Sequence, residues 1–588
     1  MATTPFPKPP VAAIPTKEVI VEGLLTHFNV PIPVENTPIP LIQDAPKHPV
    51  PSTLTEAMQT PWAPQWAEAA VDEWLSLVAN DTWTLVDKEP HMKILPCRWV
   101  FAIKTNEHGE LDRFKARLVA GGHRQREGVD YAETYAPVTR LSSLRILLSV
   151  AAHRKWEVHT LDIKTAFLHG DIDVDVYMNQ PPGFIDGQNK VAKLTKCLYG
   201  LKQAPKAWYE KLSSTLRDLN FEPCSADSSL WTTVDGHTPM YLATIVDDMA
   251  ITTPSVELTT EIISKILATY PGKNMGIMSH FNGMRCAWFD NGRQCMLLQP
   301  VHVDKMFEEF SHLADLGTYR AVPMKPGLVL CKSGTNTHPM SPPLDVKKYH
   351  YRGIVGSLNY VACCTRPDIT YTVNQLARYS NAPTVAHWEA AIDCLRYLIT
   401  TKYWGIQLGG GSPDEMQAHV KYKPARDVPA VAYADANHGV GIDDRKSVNG
   451  SLIKVLGGPV SWSSHVQPTQ SISTVESEIH AMSCASRESL WVAKLLTKFG
   501  LEAKPFLIRG DSASGIAALV NHQYTRHTKH IGIHQDFLKD QYRHGELEFE
   551  HIKGTDNPAD IFTKALPRPA FEKHRAAIGM MQLPTTLW

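Results

Sequence analysis

Two sets of carboxylates stand at places where an apolar chain would not ordinarily carry charge. Val246-Asp247-Asp248 interrupts the strand-like run YLATIVDDMAI, and Asp162 sits in an equally apolar run, T-L-D-I-K. Adjacent acids are ordinarily a surface turn. The flanking apolar residues shift the reading toward a cation site, because charge in such surroundings is costly without a counter-ion. Oxygen-only donors suit Mg²⁺, which binds through few carboxylates plus substrate phosphates. Two such ions on opposed carboxylates stabilise an in-line phosphoryl displacement, one at the attacking oxygen and one at the leaving group. A second set follows at different spacing. Asp435 lies in V-A-Y-A-D-A-N, and Glu476 and Glu478 open a helix in S-T-V-E-S-E-I-H-A-M. Asp511 ends the strand I-R-G-D-S, and Asp560 sits in D-N-P-A-D-I-F-T-K. Acids from two strands and two helical segments suit a two-metal nuclease.

These residues need strands and helices to hold them. RWVFAIK, RFKARLVA, WEVHTLDIK and YLATIVDDMAI read as strands, and LSSLRILLSVAAHRK and APKAWYEKLSSTLRDL as helices. That is an α+β pattern rather than regular βαβ repetition. TEAMQTPWAPQWAEAAVDEWLSLVAND predicts an amphipathic helix ending at Asn-Asp. Residues 290–425 read as helix-rich, through YRGIVGSLNYVACC and HWEAAIDCLRYLIT. From Pro429 a further α/β unit opens with VPAVAYADAN, SLIKVLGG and VSWSS before the helix IHAMSCASRESLWVAKLLTKFG. Residues 1–50 are rich in proline and read as an extended linker.

The 588-residue length allows about three to five domains. With 59 Lys+Arg against 60 Asp+Glu, the formal net charge of -1 argues against a polybasic protein. It does not exclude nucleic-acid binding, which needs a basic face rather than a basic total. The segment Arg98–Arg126 is such a face, with seven cations against Glu107, Glu110 and Asp112. The 10 cysteines are scattered without a C-x-x-C pair, which points to reduced thiols and no structural zinc. Neither a signal peptide nor an 18-residue apolar span is present, so no membrane partner is expected.

RWVFAIK, FKARLVAGGHRQREGVDYAETYAPV, LDIKTAFLHGDIDVDVYMNQPPGF, CLYGLKQAPKAWYEKL and VDDMAI occur in order. They closely resemble the reverse transcriptase and RNase H region of copia-type LTR retrotransposon Pol polyproteins, from about Pro51 to Phe571. The resemblance implies a right-hand polymerase of fingers, palm and thumb, followed by an α/β RNase H-like domain. Fingers and palm would fill 51–300, a helix-rich thumb and connection 301–427 and RNase H 428–575, with 576–588 a tail. It implies an RNA- and DNA-directed DNA polymerase whose metal-binding acids are Asp162, Asp247 and Asp248. Lys104, Lys115 and Arg117 would contact the incoming triphosphate. Phe167 would pack on the sugar and exclude a 2′-hydroxyl, and Tyr199 and Gly200 would line the nucleotide pocket. Asp435, Glu478, Asp511 and Asp560 would be the RNase H acids, leaving Glu476 as a helix-start acid favoured by the helix dipole. Each centre would take two Mg²⁺, with Mn²⁺ as an alternative. RNA template, nucleic-acid primer (tRNA by resemblance), RNA/DNA hybrid and deoxynucleotides follow as partners. A cytoplasmic virus-like particle follows as the location, with the nucleus as alternative.

His522, His527, His530, His534, His544 and His551 cluster in sequence but have no cysteine nearby, which disfavours zinc. Arg526, Lys529 and His530 are expected on the hybrid's phosphates instead. The chain departs from the family pattern twice. Ile245 stands where tyrosine is usual, two places before Asp247. Thr555 stands where cellular RNase H enzymes carry a mobile histidine in a Lys-Gly-His turn. Both departures keep a rival open, a catalytically dead or co-opted remnant that binds nucleic acid. A second rival, an integrase, would need three acids at different spacing and an N-terminal His/Cys zinc site, and neither is found. No capsid, protease or integrase segment is recognisable. A processed product, a truncated element and a gene model begun at an internal Met are all compatible with that.

Overall fold

The structure is a computed structural model of the chain, describing residues 15–30, 49–105, 110–186, 188–234, 236–332, 341–410, 417–418, 426–520 and 532–587. Two compact units emerge, Met1–Pro137 with Ile163–Asp218, and Val138–Asp162 with Leu219–Trp588. The division cuts across the expected 51–300 span, because Val138–Asp162 associates with later residues.

In the first unit, helix α1 (Lys17–His27) lies inside the stretch expected to be a linker. It buries Leu24 and Leu25, and Lys17 reaches Glu68 at 2.8 Å and Asp72 at 2.7 Å on helix α2 (Ala63–Ala79). Those contacts correct the linker reading over this span: two adjacent leucines with an apolar surface to cover outweigh the surrounding prolines. Strands β1 (Cys97–Thr105) and β2 (Leu111–Ala120) form an antiparallel ribbon with Lys104 opposite Arg113 and Ala102 opposite Lys115. Strand alternation puts Lys104, Arg113, Lys115 and Arg117 on one face. Trp99, Phe101, Ala116 and Leu118 fill the other, where Trp66 of α2 meets Phe101 and Phe114 edge-on.

The second unit begins with helix α3 (Leu141–Arg154) and strand β3 (Val158–Ile163). β3 is a central strand, buried at every position but Asp162. It joins β4 (Phe221–Cys224), β5 (Asp227–Thr233), β6 (Tyr241–Ile245), β7 (Asp248–Thr252) and β8 (Gly272–Ile277) in a sheet ordered β8-β3-β7-β6-β5-β4. Another sheet runs His280–Phe281, Met284–Phe289, Gln294–Leu298, Trp404–Leu408, Met580–Gln582. Its last strand corrects the expectation that 576–588 is a tail: Met580 pairs with Ile406, and Leu583 is buried.

Helices α4 (Tyr351–Cys364) and α5 (Val385–Thr400) occupy the predicted helical region. Below them, fully buried Arg366 clasps Asp368 with Nε–Oδ1 at 2.9 Å and Nη2–Oδ2 at 2.8 Å, and bonds Thr401. The C-terminal sheet comprises β9 (Ala430–Asn437), β10 (Val448–Val455), β11 (Gly458–Val466), β12 (Phe506–Gly510) and β13 (Leu547–His551). Its order is β11-β10-β9-β12-β13, antiparallel on the β10 side and parallel on the β12 side. The 25-residue helix α6 (Thr474–Lys498), capped by Ser473, packs against it. Arg145 of α3 joins these layers within the unit. It donates to Val460 O at 3.1 Å, to Cys364 O at 2.9 Å and to Cys363 O, and lies 3.9 Å over the Trp462 ring. No carboxylate among the described residues pairs with it, and burial pulls its guanidinium down to about 10.

His387 gives a stability test. Its Nδ1 accepts from the Thr384 backbone at 2.9 Å, capping α5, and its ring stacks on Tyr379 at 4.1 Å. Burial lowers its pKa to about 4, against a smaller opposing pull from Asp443. The fold therefore accepts the neutral ring, whose stabilisation is complete above pH 6.5 and is lost as pH falls from there toward 4. His387→Gln keeps a capping acceptor. We expect the melting temperature of the variant to fall less than that of the wild type between pH 7 and pH 4; parallel curves would show that another group dominates.

Candidate active sites

The first group of acids is placed by strand pairing. Asp248 on β7 lies directly opposite Asp162 on β3, and Ile245 on β6 opposite Asp248. The β6–β7 connection is therefore a two-residue turn, Val246-Asp247. Hairpins this short need positive φ in the turn, and Val246 supplies it at +56°. For a β-branched residue that conformation costs about 1–2 kcal/mol. The sheet pairing on both sides imposes it. Asp162, Asp247 and Asp248 are all half-buried. Ile245, in place of the usual tyrosine, packs against the main apolar core.

The expected nucleotide-binding residues belong to the first unit. Arg117 stacks 4.9 Å above the Tyr199 ring, and Phe167 meets that ring edge-on at 4.8 Å. Lys104 is exposed and Lys115 half-buried beside Arg117. Burial, then Arg117, Arg113 and Lys104, lower the Lys115 ammonium below its ordinary value. Glu73 of α2 pulls the other way. Gly200 has φ +93°, and a Cβ there would stand 2.2 Å from Ala120 O. The Tyr199 carbonyl accepts from Ala120 N at 2.8 Å, so only glycine lets this turn lie on β2. Gln125 and Gln203, which sequence reading passed over, brace it with an amide pair at 3.0 Å.

The second group closes more tightly. Ligand oxygens of Asp435, Asp511 and Asp560 all lie within 4.8 Å of one another, a group among the described residues that could hold a metal ion. The first three acids do not converge to that degree. Asp435 is near the end of β9, and Asp511 directly follows β12, the parallel neighbour, where Ala434 pairs with Gly510. Asp560 arrives on the short 3-10 segment Pro558–Phe562. Gly450 sits opposite Asp435 on β10, and a Cβ there would come within 2.8 Å of Ala559 O. Its missing side chain lets the Asp560 segment settle on the sheet. Asn557 Nδ2 pins that segment to Ala434 O at 2.9 Å, and Thr563 donates its hydroxyl to Asp435.

Crowding shows in the acidities. Burial, then Asp435 and Asp511, push the Glu478 carboxyl up to about 9. Burial and Asp435 push Asp560 up to about 7 and raise Asp511 as well. Glu476, as expected, is a helix-start acid: it accepts from Ile472 N at 2.5 Å. His551 ends β13 with Nε2 3.1 Å from Asp511 O. Arg526, Lys529 and His530, with His522 and His527, lie outside the described residues. Two residues that sequence reading missed, Thr563 and Lys564, belong to the centre. The i, i+4 spacing of Asp560 and Lys564 was the available signal.

Residues 80–325 match the family described as reverse transcriptase (RNA-dependent DNA polymerase). The retrovirus-related Pol polyprotein from transposon RE1 of Arabidopsis thaliana is 35% identical over 533 residues, 88% of this chain and 34% of that protein. The Pol polyprotein from transposon TNT 1-94 of Nicotiana tabacum is 32% identical, over 90% of this chain and 39% of its own length. The putative transposon Ty5-1 protein of Saccharomyces cerevisiae is 32% identical over 309 residues, 52% of this chain and 92% of that protein. The paired acids on β3 and β7 thus lie within a reverse transcriptase domain. The chain belongs to the copia-type Pol polyproteins of retrotransposons, and it spans about a third of the length of the RE1 and TNT 1-94 polyproteins. No helix among the described residues is long and apolar enough to cross a membrane.

Gly450→Ala tests the second centre. We expect a lower melting temperature and loss of most of the stabilisation produced by added Mg²⁺, because the Asp560 segment is lifted from the sheet. An unchanged Mg²⁺ response would show that the segment re-seats.

Proposed function

We propose that the chain copies RNA, and then DNA, into DNA at Asp162, Asp247 and Asp248. We assign hydrolysis of the RNA strand of the resulting hybrid to Asp435, Glu478, Asp511 and Asp560. The observation that carries this reading is the direct pairing of Asp248 with Asp162, with Asp247 in the adjoining turn, inside the segment that matches the reverse transcriptase family. The five-stranded order β11-β10-β9-β12-β13, with its acids at the ends of adjacent parallel strands, supports an RNase H-like domain.

Both donor sets are all-oxygen, and burial with neighbouring carboxylates makes Glu478 and Asp560 weaker acids at the second centre, as expected of carboxylates short of positive charge. That fits a divalent cation better than any neutral ligand. Asp162, Asp247 and Asp248, and the acids of the second group, would hold Mg²⁺ or Mn²⁺, which would supply Lewis-acid stabilisation of the attacking and leaving oxygens. In the first unit, Lys104, Lys115 and Arg117 offer donors to a triphosphate, whose charge moves toward the leaving group during transfer. Tyr199, held by Arg117, and Phe167 present ring edges and faces to base and sugar. Phe167 excludes a 2′-hydroxyl by bulk. At the second centre Asp435, Asp511 and Asp560 would hold the cation, with the Glu478 carboxyl close enough to feel Asp435 and Asp511. Recognition of the hybrid there is by shape and 2′-hydroxyls, so sequence preference is weak. Template RNA, a nucleic-acid primer (tRNA by family resemblance) and deoxynucleotides are the partners. The place of action is a cytoplasmic particle.

Asp247→Asn is expected to abolish primer extension on RNA with Mg²⁺ while hybrid cleavage survives, and Asp511→Asn to do the reverse. Loss of both activities in either variant would refute two independent centres. A wild-type chain inert in both assays would mark a co-opted nucleic-acid binder, the reading that Ile245 favours. Phe167→Val is expected to admit ribonucleotides by at least about tenfold, measured as the ratio of rNTP to dNTP incorporation. Unchanged discrimination would sink the steric role.

A further inference from the structure

Carboxylates gathered as closely as Asp435, Asp511 and Asp560 need a counter-charge. One cation of the chain already stands among them. Lys564 follows Asp560 by four residues, just past the 3-10 segment, and its Nζ lies 2.9 Å from Asp560 Oδ1. Burial works against its charge, but Asp435, Asp560 and Asp511 together hold the ammonium above its ordinary value. The residue before it, Thr563, is tied to Asp435 by its hydroxyl, which fixes where the lysine stem starts. Two other cations of this domain are engaged elsewhere: Arg509 with Glu550 at 2.6 Å, and Lys573 with Asp556 at 2.6 Å. The Lys564 side chain is still 39% exposed, so its head has a path to solvent.

We propose that Lys564 is the resident counter-cation of the second centre, a positioning residue that holds the Asp560 segment against Asp435 and competes with divalent ions for the carboxylates. Its ammonium supplies the balancing charge in the metal-free protein. Its four-carbon stem lets the head swing outward when the acids are loaded. Lys564 thereby sets the divalent-ion concentration at which the centre fills. The ion's identity rests on the nuclease reading above. The contact between Lys564 and the acids does not.

The test uses the full chain in an Asp247→Asn background, so that the first centre contributes least. In chelator, Lys564→Met is expected to lower the melting temperature, and adding Asp560→Asn to restore much of the loss. Mn²⁺ binding, followed by electron paramagnetic resonance, is expected to tighten about tenfold in Lys564→Met and to stay near wild type in Lys564→Arg. Additive effects of Lys564→Met and Asp560→Asn on melting overturn the counter-cation role. Equal Mn²⁺ affinity in wild type and Lys564→Met overturns the competition. Coupled melting with no Mn²⁺ bound in either form refutes the nuclease reading, and the competition with it.

Discussion

Like charges at close quarters are the constraint on which this molecule is built. Carboxylates a few ångströms apart would part if their main chain allowed it. Two devices prevent that. At the second centre Asp435 and Asp511 project from adjacent parallel strands whose ladder fixes their separation, and Gly450 admits the segment that brings Asp560. At the first, antiparallel pairing sets Asp162 across from Asp248. Both solutions place the acids at the ends of interior strands, where apolar residues on either side leave the backbone no slack.

The cations follow a complementary logic. Lys104, Arg113, Lys115 and Arg117 alternate along a two-stranded ribbon, one face charged and the other packed on Trp66. Asp112 lies 3.8 Å from Arg113, and Glu73 of α2 acts on Lys115 and Arg117, which leaves the cations of this face in the majority. Thus a chain with 59 basic and 60 acidic groups can still bind polyanions, because its charges are sorted by location.

Much of this was legible in the sequence. Acids inside apolar, strand-like runs singled out both groups: Asp162 and Asp435 lie on strands, Asp247 in the turn between two strands and Asp511 just past one. What escaped notice depends on long-range fit. Lys17–His27 reads as part of a proline-rich linker because its helix is anchored by Glu68 and Asp72, about fifty residues away. Met580–Gln582 reads as a tail because three residues carry no periodicity; their partner strand is Trp404–Leu408. Gly450 looks like any strand glycine until the Asp560 segment is set against it. Lys564 looks like a surface lysine until Asp435 and Asp511 arrive from elsewhere in the chain.

Arg145 bears on how such a protein can change over evolutionary time. A guanidinium sealed under Trp462 and bonded only to carbonyls cannot be bared or lost without stranding groups from three parts of the second unit. The C-terminal sheet is therefore not a detachable module. Cutting the chain at residue 428 would part Arg145 of α3 and the C-terminal end of α4 from β11, so these three elements keep their bonds only if they are exchanged together.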